Sequence, residues 1–386
     1  MSLASIQELN ALSFRDELSS AYEESYGSPP FDLSHWDPSE QTLRALLVHL
    51  KLPPPPCVLP YILPYELGEI KESVIKRLGL SPDGRDTLIV PTGTSAIAFS
   101  AWWLKVFNVE RVVIPCPAYF SSFYACDMMR LEYTRVHLRR ESGEWHWPYE
   151  EIISAVSHKG RRTAVWITNP IYTTGVYLNG SQVDFLNTLL EQDVVVVLDE
   201  CHAINGKELG PRLMPSEQLL GLYSPHKSVC INAAKFAAIV FDIKYQQFFA
   251  DWTDVLVGGL SAANYTALLH FLSPNFDEFY NAFTELINTA RSEVVEIIRR
   301  YSGSLEIDHK SEGYLMTVYA PKVPALGNCE DVLRDIVFST GATMIPGTRN
   351  HFSQDMGFNF RINLARACPQ FTAALNRVAA HLASMG

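Results

Sequence analysis

The stretch Val194-Val195-Val196-Val197-Leu198-Asp199-Glu200-Cys201-His202 decides the fold. Its apolar run shows no alternation of polar and apolar positions, so neither face of a strand built from it would meet water. β-Branched residues favour the extended chain, and a run this short is strand-sized. Thr87–Val90, Arg111–Ile114 and Thr163–Ile167 repeat the pattern, with longer stretches of helical character between them. Doubly buried strands that alternate with helices predict an α/β fold with a mainly parallel sheet covered by helices. Ligands of such sheets bind beyond the carboxyl ends of the strands, so the chemistry is expected just after each run.

Those residues are distinctive. The first strand leads into Pro91-Thr92-Gly93-Thr94-Ser95-Ala96, small residues that open a helix. A helix start of this kind offers backbone N–H groups to a phosphate. The segment is neither GxGxxG nor GxxxxGK[ST], which argues against the usual nucleotide-binding loops. Pro115-Cys116-Pro117-Ala118-Tyr119-Phe120 follows the second strand and puts an aromatic ring where it could stack on a flat ligand. Thr168-Asn169-Pro170-Ile171-Tyr172-Thr173-Thr174-Gly175 follows the third as a turn, with Pro170 holding Asn169 out of the helical region.

Asp199 ends the fourth run, and a carboxylate at the end of a buried strand calls for a cationic partner. Cys201 and His202 are metal-ligand types without a second ligand pair at suitable spacing, so no metal is expected. Further on, Tyr223-Ser224-Pro225-His226-Lys227 precedes a small, apolar stretch up to Lys235. A lysine in such a setting either reaches out to water or has a function. Desolvation lowers its pKa and frees the amine for Schiff-base chemistry.

A chain of 386 residues is too long for one ordinary core. Residues 1–50 read as a helix and an extended stretch around Phe31–Pro38, joining the small domain. Residues 51–274 form the large domain, opening on the stiff linker Leu52–Pro60 with its four consecutive prolines. Residues 275–386 form a smaller α+β domain: a helix over about Pro274–Arg300, strand-like Tyr314–Tyr319 and Asn359–Leu364, and a closing helix after Pro369. The net charge of -11 argues against nucleic-acid and anionic-membrane partners, which need clustered Lys and Arg. Seven scattered cysteines with no CxxC pair read as free thiols of a cytoplasmic protein. The first residues lack the basic and apolar regions of a signal peptide, and no apolar run reaches membrane-spanning length.

Taken in order, these segments resemble the class I/II aminotransferases, the fold type I enzymes that use pyridoxal 5'-phosphate (PLP), as a divergent member. The resemblance runs from about Phe31 to the last helix. It implies that Gly93, Thr94 and Ser95 cradle the cofactor phosphate and that Tyr119 stacks on its ring. Asn169-Pro170-Ile171-Tyr172-Thr173-Thr174-Gly175 resembles the family's N-P-x-N-P-T-G loop, which places Asn169 and Tyr172 at the cofactor. Asp199 matches the carboxylate that pairs with the pyridine nitrogen. Ser224-Pro225-His226-Lys227 is similar to S-x-S-K, with Lys227 as the Schiff-base lysine and Ser224 on the phosphate. Phe360-Arg361-Ile362, after the turn Ile345-Pro346-Gly347, matches the strand whose Arg holds the substrate's α-carboxylate.

Four positions depart from the pattern. Tyr172 replaces the loop's second Asn, His202 a tyrosine after the ring aspartate, Lys235 a phosphate-binding arginine, and Trp36 a glycine that faces the substrate. The resemblance further implies an amino-acid substrate, a 2-oxo acid as co-substrate, and a homodimer with Tyr61 or Tyr65 reaching a neighbouring site. The expected reaction is transamination. A PLP-dependent lyase, cyclase or oxidative or decarboxylating enzyme would share every motif, and a catalytically inactive PLP-fold binding protein is the remaining alternative.

Overall fold

Val195–Glu200 is the central strand of a seven-stranded sheet. The computed structural model describes residues 3–55, 60–157, 161–204, 206–323 and 329–385, with 3–13 as backbone only. Pro56 and Cys57, part of the linker and of the thiol set, lie outside the described residues. The sheet strands are β1 (Arg85–Val90), β2 (Arg111–Cys116), β3 (Glu132–His137), β4 (Thr163–Thr168), β5 (Val195–Glu200), β6 (Leu219–Tyr223) and β7 (Ala237–Asp242). Their order is β1-β7-β6-β5-β4-β2-β3. β7 runs antiparallel to both its neighbours and the other pairings are parallel.

The valine run explains itself in this position. Val195 and Val197 belong to the core on one side of the sheet, and Val196 and Leu198 to the core on the other. Each buried side chain of this size is worth about 1.5–3 kcal/mol, so both faces drive the strand to the centre. The strand extends beyond the apolar run. Asp199 pairs in register with Thr168 and Leu222, and Glu200 with Tyr223, so both acids lie within the sheet rather than after it.

Three sheet strands stand outside the runs read from the sequence. β6 is interrupted by Gly221, β7 opens on Ala237-Ala238, and the edge strand β3 mixes Glu132, Thr134 and Arg135 with apolar residues. Glycine and alanine carry weak strand preference, and an edge strand needs no continuous apolar run.

A four-stranded antiparallel sheet follows: β8 (Glu306–Ile307), β9 (Leu315–Ala320), β10 (Ile345–Pro346) and β11 (Phe358–Asn363), in the order β8-β9-β11-β10. Its helices include Pro274–Arg299 and Pro369–Met385. The chain's beginning packs here. Phe31–Asp32 pairs in parallel with Ala342–Thr343, and the Asn363 N–H donates to the Leu33 carbonyl at 2.9 Å. No helix among the described residues is long and apolar enough to cross a membrane.

The turn after β4 is clamped between the two sheets. The Thr317 hydroxyl donates to the Thr173 carbonyl at 3.1 Å, and the Glu312 N–H donates to the Gly175 carbonyl at 2.8 Å. Gly175 has a φ of +71°, and a Cβ there would overlap the Glu312 carbonyl. Gly175→Ala is therefore expected to destabilise by more than the roughly 1–2 kcal/mol of the left-handed backbone alone. Urea unfolding measures it, and an unchanged midpoint would contradict this docking.

Candidate active site

The carboxyl ends of β1, β2, β4, β5 and β6 bring distant residues together. Successive side chains of a strand point to opposite faces, so Asp199 and Glu200 have separate surroundings. Glu200 accepts from Asn169 Nδ2 (2.6 Å) and from the N–H groups of Leu209 (2.5 Å) and Gly210 (3.0 Å). Asp199 is 3% exposed and accepts from the Cys201 N–H at 3.0 Å. Among the described residues it forms no ion pair at salt-bridge distance. Burial raises its pKa, against the pull of the Cys201 N–H and of the Lys227 charge.

Lys227 sits on a single helical turn, Pro225–Ser228, directly after β6. Its Nζ lies 4.8 Å from the centre of the Tyr119 ring and 5.3 Å from that of Trp36. The preceding residue anchors the turn. His226 Nε2 lies 3.1 Å from His270 Nδ1, against Phe236 and Phe276. Lys235 is half-buried, and its pKa is lowered by burial and by the charge of Lys227. Asn264 Nδ2 donates to the Lys235 carbonyl (2.7 Å) and the Pro91 carbonyl (3.3 Å), tying this segment to the end of β1. Sequence reasoning missed Asn264; its signal is the capping box it forms with Ser261.

Gly93, Thr94 and Ser95 form the first turn of the helix Gly93–Val106. A first turn leaves N–H groups without partners inside the helix. Thr92, also missed, caps it by accepting the Ser95 N–H at 3.0 Å. A Cβ on Gly93 would come within 3.1 Å of Cys201 Sγ and 4.0 Å of Ser224 Cβ, so the turn lies against β5 and the Lys227 segment. The Ser224 hydroxyl donates to the Phe236 carbonyl at 3.0 Å.

Arg361 closes the other side. It is 2% exposed, its Nη2 donates to the Ser34 carbonyl at 2.6 Å, and its guanidinium lies 3.9 Å from the Trp36 ring centre. Trp36 stacks on His202 at 5.9 Å, and Tyr172 packs on Tyr119 at 5.1 Å and His202 at 5.8 Å. Among the described residues neither ring nitrogen of His202 has a hydrogen-bond partner, and the Tyr172 hydroxyl lies buried near Arg361. Burial, then the charges of Lys227 and Arg361, push His202 well below the usual histidine range. Burial pushes the Tyr172 hydroxyl upward against the opposite pull of Arg361.

Tyr119, Asp199, Lys227, Arg361, Trp36, Tyr172 and His202 thus form one cluster, with Gly93, Ser95, Ser224 and Lys235 beside it. Thr94 is exposed. Asn169, expected at the cofactor, has its amide engaged by Glu200 and by the Leu178 N–H (3.1 Å). The buried Glu200 carboxylate needs donors, and Asn169 supplies one. The Tyr65 hydroxyl reaches Asp254 at 3.3 Å, while Tyr61 is 85% exposed.

The His226 anchor gives a pH test. Burial pushes His226 down from 6.5 to about 3. Between these values the unfolded chain binds more protons, so this contribution to stability is present above the unfolded pKa and is lost as pH falls toward the folded one. His226→Phe should therefore lose stability less steeply than the parent between about pH 6.5 and 4 in urea unfolding. Parallel curves would contradict the buried neutral imidazole.

No protein-family model matches the chain, and no curated protein matches it by sequence. Solved structures do match. A candidate kynurenine aminotransferase from Saccharomyces cerevisiae superposes with a TM-score of 0.77 at 14% identity, covering 96% of this chain and 95% of that one. N-Succinyldiaminopimelate aminotransferase from Mycobacterium tuberculosis gives 0.75 at 15% identity, covering 94% and 95%. A PLP-bound C–S lyase from Staphylococcus hominis gives 0.69 at 15% identity, covering 91% and 88%. The chain has the fold that these aminotransferases and this lyase share.

Proposed function

We propose that this chain is a PLP-dependent enzyme acting on an α-amino acid, with transamination as its reaction. The observation that carries the reading is a buried Asp199 carboxylate without an ion-pair partner among the described residues, in one cluster with Lys227 and beside the Gly93–Ser95 helix start. A buried carboxylate is costly unless a cation or strong donor answers it, and a protonated pyridine nitrogen is such a group. The residues fit PLP. The helix start at Gly93, packed against Cys201 and Ser224, and Lys235 suit the phosphate, and Tyr119 offers a ring face.

When bound, PLP supplies an electron sink for the bonds at an amino acid's α-carbon. Asp199 holds a proton on the ring nitrogen and so keeps that sink strong. The Lys227 amine would carry the cofactor and, once the substrate's amine has displaced it, would be free to take and return the α-proton. Arg361 presents the edge of its guanidinium to the α-carboxylate while Trp36 packs on its face. Trp36, Tyr119, Tyr172 and His202 wall off water. The proposal includes a 2-oxo acid co-substrate and a homodimer in which the exposed Tyr61 meets the neighbouring subunit.

The C–S lyase of the same fold keeps a second reading open, since Tyr172 stands where the transaminase pattern has an Asn. Product analysis with and without a 2-oxo acid acceptor separates the two.

Purified protein supplied with PLP should be yellow, and borohydride reduction with peptide mapping should place the pyridoxyl group on Lys227. A label on Lys235, or no chromophore, would overturn the assignment. Asp199→Ala should retain cofactor yet exchange the substrate α-proton for deuterium about a hundredfold more slowly. Unchanged exchange would make Asp199 a structural acid only.

A further inference from the structure

A cavity of about 160 Å³ adjoins the Lys227 cluster. Trp36 and Phe120 belong to its wall, and Phe120 packs on Tyr119 at 4.6 Å. Besides Arg15, which pairs with Asp16 (2.7 Å) and Asp32 (3.6 Å), two deeply buried guanidinium groups line it, those of Arg361 (2% exposed) and Arg349 (3% exposed). Their relative position is set by the small sheet. β10 pairs Ile345 with Arg361, and the turn Gly347–Asn350 that follows carries Arg349.

Among the described residues neither arginine has an ion-pair partner. Asp32, on the same segment as Ser34, serves Arg15 at 3.6 Å and the Ser34 N–H at 2.8 Å. Arg349 donates to the Tyr124 hydroxyl at 3.0 Å and lies over the Phe120 ring at 4.0 Å. Nε of both arginines and Nδ2 of Asn350, which lines the same cavity, are buried without a hydrogen-bond partner among the described residues. A purely structural arginine of this chain looks different. Arg140 is held by Asp308 and Glu306, each at 2.8 Å. Two buried like charges in one small cavity are costly unless something negative enters.

One of the two is accounted for by the substrate's α-carboxylate at Arg361, and the inference rests on that proposed binding mode. We infer that Arg349 reads a second acidic group, so that the site selects amino acids with a carboxylate side chain, and the corresponding dicarboxylic 2-oxo acids. A cavity near 150 Å³ takes a ligand of roughly benzene size. That is room for a short methylene chain against Trp36, Phe120 and Ile345, ending in a carboxylate that Arg349 can hold through two N–H groups. Asn350 Nδ2 supplies a further donor.

The test uses unreactive acids and the purified protein supplied with PLP, so that binding is read without turnover. Succinate and butyrate are titrated by tryptophan fluorescence and by the rise in melting temperature that a native-state ligand causes. Wild type is expected to bind succinate at least about tenfold more tightly than butyrate, as a charged hydrogen-bonded pair provides. Arg349→Met, which keeps the stem on Phe120, should abolish that preference and leave butyrate binding unchanged. Arg349→Lys should restore part of it, and Arg361→Gln should weaken both acids. Equal binding of the two acids by wild type, a comparison that needs no variant, would overturn the inference, as would a preference that survives Arg349→Met. Failure of the PLP reading is separately visible as a colourless protein without a label on Lys227.

Discussion

The Asp199 carboxylate lies at the end of a strand sealed on both faces, where water cannot answer its charge. Its place follows from the apolar run before it, which only the centre of the sheet can bury. Whatever answers Asp199 must therefore come to the carboxyl edge of β5, and the segments after β1, β2 and β6 converge there. The strand's two-residue period separates two acids that adjoin in the sequence. Glu200 is saturated by Asn169 and two backbone N–H groups, whereas Asp199 keeps most of its hydrogen-bonding capacity. One acid holds the loops together, and in the function proposed the other is left for chemistry.

The opposite wall depends on the small sheet. β11 carries Arg361 and Asn363, and both reach the segment that bears Trp36. Arg361 donates to the Ser34 carbonyl, and Asn363 Nδ2 donates to the His35 carbonyl at 2.7 Å. Trp36 therefore does not float over the site as a loop residue. It is fixed to the same strand as the arginine it covers, and a shift of that strand would move both groups together. The turn that carries Tyr172 is tied to β9 through Thr317, so the small sheet supports this residue as well.

Much of this was legible in the sequence because it rests on continuous burial and on motifs of short spacing. The central strand, the helix start at Gly93 and the Lys227 turn each occupy a few adjacent residues. What escaped depends on partners remote along the chain. Asn264 is set by carbonyls of Lys235 and Pro91, and Arg349 by Tyr124 and Phe120. Arg349 belongs to no local pattern, and the capping box of Asn264 marks a helix start rather than a site. Asn169 shows the converse. Its position in the loop motif pointed to a ligand, but side-chain direction is decided by the nearest unmet need, and the buried Glu200 carboxylate supplies it. β7 was hidden for a simpler reason, since its alanines carry little strand preference until its neighbours cover them.

Few groups in the site carry charge. Tyr172 and His202 are held neutral by burial, and Trp36 and Tyr119 add apolar faces. Lys227, Lys235, Arg361 and Arg349 outnumber the carboxylates of Asp199 and of Asp37, whose charge acts on Lys235, in a chain whose net charge is -11. At physiological salt the acidic surface is felt only within a screening length of about 8 Å, whereas charges inside a desolvated pocket are screened far less. The overall acidity therefore does little to repel an anion that has reached the mouth of the site, and the local excess of positive charge governs what enters. Neutral walls sharpen this. Because His202 stays uncharged near Lys227 and Arg361, it adds no further repulsion to either. Placing a neutral imidazole there costs less than placing a third cation, and in the function proposed it leaves recognition of the substrate's charge to the arginines.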